Sequence, residues 1–332
     1  LFYVHLLSAQ DIHYSQFFVN KLVLNPAEAG MFNGNVRTAV NYKDQWRTVT
    51  TPYKTFSLGV DKAFLQSNKS VNVGGGFLMS RDKAGDAGFG TFDASGILSG
   101  IVFLNDKMKF SGGLSIGYKQ HSVNINNLQW QDQITTSGFD GSINHGDAAN
   151  AFKPAGAIDV GMGAKFSLAL TKNNMSANDP ILFNAGISLG HLNRPSTSFF
   201  GLENRLSPKF IANVDGFVPL EGTNFSILPS FMMALQNKNN LFLFGSLVKY
   251  KLKEGSKYTG FEQESAISFG GHYRVKDAIV LSSFLEMAYF GIGLSYDINI
   301  SSLNVVSNSV GGLEFSFIYT IPRATVYGRS RV

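Results

Sequence analysis

The stretch Ala288–Ile321, with the sequence AYFGIGLSYDINISSLNVVSNSVGGLEFSFIYTI, decides the fold. From Phe290 onwards every second residue is large and apolar, and the residues between them are small or polar. The same alternation resumes at Leu313 after a loop that is rich in Ser and Asn. A period of two places the two sets of side chains on opposite faces of a β-strand. One face is therefore suited to hydrocarbon, and the other tolerates water.

The composition indicates which solvent lies on the apolar side. The chain has 332 residues, of which 15% are charged, and it contains 35 Gly, 29 Phe and 12 Tyr. Soluble domains have about 25% charged residues. The mean hydropathy is nevertheless only +0.02, and no run approaches the ~18 apolar residues of a membrane helix. Low charge with alternating hydrophobicity predicts an all-β transmembrane barrel, and a soluble β-sandwich or propeller is the alternative.

Fourteen strand-like runs predict an antiparallel up-and-down barrel, because single-chain bacterial barrels have an even number of strands. We expect the last run to pair with the first, since an open strand edge cannot face lipid. Pro229 falls inside one run and is expected to require a β-bulge. The predicted runs are Val36–Asp44, Lys54–Ala63, Ser70–Ser80, Phe92–Leu104, Met108–Ser122, Ala155–Leu170, Ile181–Asn193, Leu206–Phe217, Phe225–Gln236, Leu241–Leu252, Glu264–Val275, Ala278–Glu286, Ala288–Asn299 and Gly312–Pro322.

The regions outside the barrel have distinct compositions. Leu1–Ala9 resembles the end of a secretory signal peptide, with an apolar stretch that ends in small residues, so we expect processing after Ala9 and export. Residues 10–35 form an N-terminal segment ahead of the barrel, which occupies 36–322. A basic tail with three arginines covers 323–332, and it places the final strand away from the end of the chain.

The N-terminal segment is predicted to contain one short helical turn. Asn25 is a suitable N-cap, Pro26 follows at the first helical position, and Gly30 is a suitable terminator. The apolar residues around Phe17 and Leu24 need a surface to pack on. We therefore expect the segment to pack in or across the periplasmic mouth of an outer-membrane barrel, with the N-terminus in the periplasm.

Inward-facing charged residues would line or fill the lumen; they are Asp61, Asp159, Lys165, Asp215 and Asp297. Three glycine-rich sites at Gly74–Gly76, Gly161–Gly163 and Gly291–Gly293 lack the helix of a nucleotide-binding loop. We interpret them as small residues where bulky side chains crowd a curved sheet.

Sequence motifs for catalysis or metal binding are missing. There is no cysteine, and the six histidines show no close-spaced ligand arrangement. His121 and His191 are interpreted as residues at strand ends near the membrane interface. No GxSxG motif or concentrated basic face occurs. We therefore predict no catalytic residue, metal, cofactor or nucleic-acid partner.

Several short motifs resemble the PorP/SprF family of type IX secretion outer-membrane proteins. They are spread over essentially the whole chain in a consistent order. The motifs are His13–Phe18 (HYSQFF), Leu24–Ala27 (LNPA) with Gly30, Asn41-Tyr42, Gln45-Trp46, Pro52-Tyr53, His191–Pro195 (HLNRP), Ser295–Leu303 (SYDINISSL) and Gly311–Ser316 (GGLEFS).

The resemblance implies a non-enzymatic barrel in the outer-membrane lipid that supports secretion or surface attachment of particular large proteins. Its implied partners are the cargo's C-terminal sorting domain and the periplasmic ring and lipoproteins of the machine. We expect partner contacts in the N-terminal segment and in the rim loops Asn124–Gln133 and Ile300–Ser309. The candidate partner-binding residues are His13, Phe17, Phe18, Leu24, Asn25, Pro26, Trp130, Asp297 and Asn299.

A second functional hypothesis is a channel for hydrophobic small molecules. The Asn-Pro-Ala segment ahead of fourteen strands is also similar to the FadL type of channel. That hypothesis predicts an apolar pocket continuous with the lumen, with Phe17 and Leu24 involved in uptake. A lumen plugged by polar side chains would argue against it. A barrel enzyme is a third and weaker alternative.

Overall fold

The computed structural model describes residues 11–47, 51–64, 71–85, 88–124, 130–143, 155–170, 180–197, 205–253, 264–301 and 309–322. Within these residues, fourteen antiparallel strands close into one barrel. The expected signal remnant at 1–9 and the basic tail at 323–332 lie outside the described residues. None of the helices in the described ranges has the length and apolar character needed to cross a membrane.

The fourteen barrel strands correspond one to one with the predicted runs, and their ends differ by only a few residues. Each barrel strand pairs with its neighbours in sequence, except that β6 and β7 form a separate small hairpin between β5 and β8. The strands are β1 Val36–Gln45, β2 Tyr53–Ala63, β3 Val71–Ala84, β4 Phe89–Phe103, β5 Met108–Ser122, β6 Ile134–Thr135, β7 Gly138–Phe139, β8 Ala155–Leu170, β9 Ile181–Gly190, β10 Lys209–Pro219, β11 Phe225–Gln236, β12 Asn239–Lys253, β13 Ser265–Arg274, β14 Ala278–Met287, β15 Phe290–Asn299 and β16 Val310–Ile321.

The first and last strands close the barrel, as expected. β1 pairs with β16 from Val36 opposite Ile321 to Gln45 opposite Gly312. Every strand of the barrel therefore has a hydrogen-bonding neighbour on both sides, which satisfies its backbone groups without water.

The alternation in the last hairpin separates the two faces of the wall. Leu294 and Leu313 are about half exposed on the outer face. Ser295 and Glu314 are buried on the inner face. The apolar outer face suits lipid, and the polar inner face suits a lumen filled by other polar groups.

Pro229 lies inside β11 without the bulge that we expected. The register between β10 and β11 is the same on both sides of it, with Asp215 opposite Ser230 and Val218 opposite Ile227. Pairing with β10 lapses between these points, where Pro229 offers no N–H to bond. On its other side Pro229 stays in register with β12. The missing donor is thus accommodated by a local loss of pairing.

The N-terminal segment lies inside the barrel and reaches both of its ends. We call the end where β1 begins the near end and the end where β1 stops the far end. Asp11 contacts His191, which directly follows β9 at the far end. The backbone N–H of Asn35 donates to Ile321, the last residue of β16, at the near end. We call Asp11–Asn35 the plug, and its packing on the barrel extends beyond the mouth where it was expected.

The plug contains two short 3₁₀ turns, Lys21–Val23 and Pro26–Glu28. The predicted helical turn is therefore confirmed. The amide oxygen of Asn25 accepts a hydrogen bond from the Ala27 N–H at 2.9 Å, as expected of an N-cap. Residues from Tyr14 to Gly30 are almost all buried.

Candidate functional site

Glycines on the inner wall form the seat of the plug. A Cβ at Gly113 on β5 would overlap the backbone of Pro26 and Ala27. One at Gly163 on β8 would overlap the amide of Asn25. The wall therefore has no side chain where the plug passes closest. Of the glycine-rich sites, Gly163 is crowded by the plug, whereas Gly291 is crowded by the bulky side chains of Phe284 and Ile318 on the wall, as expected.

Further glycines follow the path of the plug around the wall. Each lies where a Cβ would overlap a plug atom, either a side-chain amide or the backbone. They are Gly293 beside Gln16, Gly59 beside Asn20, and Gly74 beside the Ala29 carbonyl.

A cluster of charges holds the start of the plug at the far end. The Asp11 carboxylate contacts the Lys119 ammonium at 2.9 Å and His191 Nε2 at 2.6 Å. Lys209 lies 3.7 Å from the same carboxylate, and His191 Nδ1 contacts Asp159 at 2.8 Å. His191 thus lies at the end of β9, as expected, and its side chain is buried between two carboxylates inside the barrel.

The pKa values in this cluster reflect its mixed charges. Burial alone would lower the pKa of the His191 imidazole, but hydrogen bonds to Asp11 and Asp159 raise it above its ordinary value. Burial alone would raise the pKa of Asp11, yet Lys119 and Lys209 hold it well below its usual range. The cluster therefore stabilises the charged forms of both Asp11 and His191.

A second cluster binds the backbone of the plug near Ser15. The Glu314 carboxylate accepts hydrogen bonds from the backbone N–H groups of Ser15 at 2.7 Å and Gln16 at 3.0 Å. The Ser15 hydroxyl donates to Asp297 at 2.7 Å. Asp297 also lies 3.3 Å from the Lys43 ammonium and accepts a 2.9 Å bond from Arg274.

A third set of charges lies along the second half of the plug. Glu28 and Lys165 form a buried ion pair at 2.5 Å. Asp61 pairs with Arg37 at 2.9 Å and accepts a 2.8 Å hydrogen bond from the Gly30 N–H. Buried charges of this kind are tolerated only when they are paired.

The inward charged residues predicted from the sequence do fill the lumen. All of them are held in ion pairs or hydrogen bonds that involve the plug or the cluster around it. Asp215, for example, pairs with Lys21 of the plug at 3.1 Å.

One side of the lumen is apolar, and the plug fills it. Phe17 and Leu24 pack into a cluster with residues of β10, β11, β12 and β14, which are Ile211, Met232, Leu241, Leu243 and Val280. Phe18 stacks on the His272 ring with 5.9 Å between the ring centroids. A remaining cavity of about 30 Å³ borders this cluster, which is more than the space that one water molecule needs.

A larger cavity of about 140 Å³ lies on the other side of the plug. Polar and charged side chains make up much of its lining, including Asp93, Lys119, Asp159 and His191. It is bounded by the plug itself at Asp11 and Leu22–Pro26.

The structure brings most of the predicted partner-binding residues together inside the barrel. His13, Phe17, Phe18, Leu24, Asn25 and Pro26 all belong to the plug, and Asp297 binds it through Ser15. Asn299 lies further along β15, where its side chain donates to the Val310 carbonyl.

Trp130 lies apart from the plug. It precedes the 3₁₀ turn Gln131–Gln133 in the connection between β5 and β8, and its backbone N–H donates to the Gln133 side-chain oxygen at 3.2 Å. Of the two expected rim loops, the structure describes only residues 124 and 130–133 of Asn124–Gln133 and residues 300, 301 and 309 of Ile300–Ser309.

The residues that sequence reasoning missed are the wall partners of the plug; they are Lys43, Lys119, Lys209, Arg274 and Glu314. Alternation places Lys43 and Glu314 on the inner face, and the two residues are opposite each other in the β1–β16 register. Charged side chains on a buried face need partners, and that requirement could have identified them.

The described residues contain no group of three or more His, Asp or Glu side chains that could hold a metal ion. The Ser230 hydroxyl and His272 Nε2 lie 2.7 Å apart. His272 Nδ1, however, has no hydrogen-bond partner in the described part of the chain, so no carboxylate orients the ring there. The pair therefore lacks the third group of a nucleophilic triad.

Comparisons with known proteins agree with this architecture. Residues 6–319 match the sequence profile of the type IX secretion system membrane protein PorP/SprF, which covers nearly the whole chain. No curated protein sequence matches the chain.

Solved structures of several outer-membrane barrels are similar to the chain. One is a deltaS2 mutant of TodX, titled a monoaromatic hydrocarbon channel, with 8% identity, a TM-score of 0.51, and coverage of 91% of this chain and 94% of that one. Another is BamA from Haemophilus ducreyi lacking POTRA domains 1–3, with 10% identity, a TM-score of 0.41, and coverage of 87% and 71%. At these identities the TodX likeness shows the fold alone.

Proposed function

Since this chain belongs to the PorP/SprF family of type IX secretion system membrane proteins, we propose that it is a non-catalytic outer-membrane component of that system. It supports the secretion or surface attachment of particular large proteins. Its partners are the C-terminal sorting domain of a cargo protein, the periplasmic ring, or the lipoproteins of the machine.

The plugged lumen is the observation that carries this proposal. Buried ion pairs and hydrogen bonds fix the plug to the wall from Asp11 to Gly30. A barrel that is filled by its own chain is suited to presenting surfaces at its ends rather than to passing material through its centre. The family match supports the type IX secretion system as the machine in which those surfaces act.

Partner contacts are therefore proposed at the rim. The hairpin of β6 and β7 follows Trp130 and exposes Ile134 and Phe139. Exposed apolar residues outside a membrane-spanning wall are typical of interaction surfaces. The plug residues Phe17 and Leu24, which are buried, act by holding the barrel in its binding-competent shape.

Deletion of the gene tests this proposal. We expect surface display of one or a few large proteins with a C-terminal sorting domain to be lost, and to return with the wild-type gene. Other outer-membrane barrels should assemble normally in the same strain. Unchanged display of every such protein would contradict the proposal.

A photo-crosslinking residue in place of Trp130 tests the rim contact. It should capture a secretion-system protein in native membranes, whereas the same residue at Leu114, on the outer face of β5, should capture none of them. Equal capture from both positions would show that Trp130 is not part of the interaction surface.

A channel for hydrophobic small molecules is the second candidate, because the fold is similar to that of a monoaromatic hydrocarbon channel. An apolar cluster does lie on the lumen wall, but Phe17 and Leu24 of the plug occupy it. This candidate predicts that toluene uptake falls on deletion of the gene and rises when Phe17→Ala empties the cluster. Our proposal predicts no change in uptake in either strain.

A further inference from the structure

We propose that the outer wall of the barrel binds the phosphate head group of a membrane lipid at the far ends of β2 and β3. The site consists of Lys54 on β2 with Arg81 and Lys83 on β3, and we call it the outer cationic site. It lies on the face of the wall opposite the plug. The inference rests on the barrel crossing a membrane and not on the secretion role proposed above.

The three cations lie on the outer face of the wall. Their neighbours Thr55 and Asp82 point inwards, where the Thr55 hydroxyl donates to the Asp82 carboxylate at 2.6 Å. Successive side chains of a strand alternate between its two faces. Lys54, Arg81 and Lys83 therefore point outwards, and all three are exposed.

The register of the two strands places like charges side by side. Lys54 and Lys83 are directly opposite each other, and residues in such positions have Cβ atoms about 4.5–5.5 Å apart. Arg81 lies two residues from Lys83 on the same face, about 7 Å along the strand. Directly opposite like charges are destabilising. A phosphate bound between them would replace this repulsion with attraction, because Lys and Arg form charge-assisted hydrogen bonds with phosphate.

The described residues do not balance the charge of the site. Asp44 lies opposite Lys54 on β1, but its carboxylate is already paired with Arg47 at 2.6 Å. Within the described part of the chain, none of the three cations of the site forms an ion pair or a hydrogen bond. The outer face of the described barrel strands from β4 to β16 has no charged residue at the far end. The counter-ion therefore has to come from outside the chain.

The wall beside the site is suited to the acyl chains of a lipid. Val60 and Phe77 are opposite each other further along the outer face of β2 and β3, and Phe77 is 46% exposed. Phe92, opposite Arg81 on β4, is also exposed. A ligand with a phosphate head group and hydrocarbon chains matches both the cations and this apolar surface. Free phosphate matches the cations alone, so the structure favours a lipid.

Native mass spectrometry of the purified full-length barrel tests the site. The probe is diphosphorylated lipid A, titrated in a neutral detergent, and phosphatidylcholine is the comparison lipid without net charge. The test variant combines Lys54→Gln, Arg81→Gln and Lys83→Gln. Lys62→Gln is the matched control, because Lys62 points outwards from the same strand at the near end, opposite Gly75. Heat-dependent gel mobility confirms that each variant is folded.

We expect the wild type and Lys62→Gln to bind lipid A with equal affinity and in preference to phosphatidylcholine. Each cation near an anionic lipid surface contributes about fivefold to binding. The triple variant should therefore bind lipid A on the order of a hundredfold more weakly. Equal affinities of the triple variant and the wild type, or an equal loss in Lys62→Gln, would overturn the proposal.

Melting temperatures in the same detergent test the repulsion between the two lysines. Without lipid, Lys83→Gln should be at least as stable as the wild type, because Lys54 no longer faces a like charge. Lower stability of Lys83→Gln under these conditions would contradict the repulsion on which the site rests.

The same measurement distinguishes a lipid from free phosphate. Lipid A should raise the melting temperature of the wild type, since a ligand that binds only the folded state stabilises it. It should not raise that of the triple variant. Pyrophosphate at the same concentration should have no effect on either protein. If pyrophosphate stabilises the wild type as much as lipid A does, the ligand is free phosphate and the assignment of a lipid is wrong.

Discussion

Asp11 and His191 are separated by 180 residues in the chain, yet their side chains meet at 2.6 Å inside the barrel. This contact fixes the first described residue of the plug at the end of the barrel opposite Val36. The segment ahead of β1 is therefore part of the barrel's interior, and the stability of the wall and the position of the plug are linked.

The stability contributed by His191 is predicted to depend on pH. Its pKa is raised in the folded protein by Asp11 and Asp159 despite burial. A raised pKa stabilises the fold fully below the ordinary value of about 6.5, and the stabilisation is lost as the pH rises through the folded pKa. We expect the melting temperature of the wild type to fall from about pH 6 to about pH 9 by more than that of His191→Gln.

Thermal unfolding in detergent micelles at the two pH values measures this difference. Asp140→Asn, in an exposed loop outside the wall, is the control and should follow the wild type. If the melting temperature falls by the same amount between the two pH values in the wild type and in His191→Gln, the charged state assigned to His191 is contradicted.

The packing of the plug against Gly113 is predicted to be disrupted by the addition of one methyl group. In Gly113→Ala the new Cβ would overlap the backbone of Pro26 and Ala27, which cannot rotate away as a side chain could. We expect a loss of about 1–3 kcal/mol in the free energy of unfolding, as for other overpacked sites. Urea unfolding of the refolded barrel measures it.

Gly112 provides a matched control on the same strand. It faces the opposite side of the wall, and a Cβ there meets no atom within 4 Å. Gly112→Ala should leave stability unchanged or raise it by up to about 1 kcal/mol through the unfolded chain. Equal losses in the two variants would show that the plug does not lie against Gly113.

The Glu28–Lys165 ion pair is predicted to matter mainly when one partner is removed. Lys165→Met leaves the Glu28 carboxylate buried without its cation, at a cost of roughly 3–5 kcal/mol. The double variant Lys165→Met with Glu28→Gln should recover much of that loss, since neither charge of the pair remains. The unfolding free energies of Lys165→Met, of Glu28→Gln and of the double variant give the coupling energy between the two side chains. Additive losses would mean that the two side chains do not interact.

The wall of this barrel could be predicted from the sequence because its two faces meet different solvents. The alternation from Phe290 to Asn299 and from Leu313 to Ile321 defined the last hairpin, and β1 closes on it as expected. Pro229 was the exception. Its missing N–H costs pairing on one side only, a local detail that periodicity does not report.

The path of the plug could not be predicted in the same way. Residues 11–35 have no regular period, and their contacts connect positions as distant as Ser15 and Glu314. Asn25 was correctly predicted as an N-cap because capping is local. The direction of threading, by contrast, depends on where Asp11 finds its cations, and only the folded wall brings Lys119, His191 and Lys209 together.

A disulfide between the plug and the wall tests the central claim most directly. The natural chain has no cysteine. A Cβ built at Gly163 lies 2.9 Å from Asn25 Cγ, close to the roughly 3 Å between a Cβ and the far sulfur of a disulfide with an S–S bond of about 2.05 Å. Asn25→Cys with Gly163→Cys should therefore form a disulfide, and both thiols should resist a maleimide after denaturation without reductant. The control pair, Asn25→Cys with Gly112→Cys, should keep both thiols reactive. Two reactive thiols in the Asn25–Gly163 pair would contradict a plug that passes through the lumen.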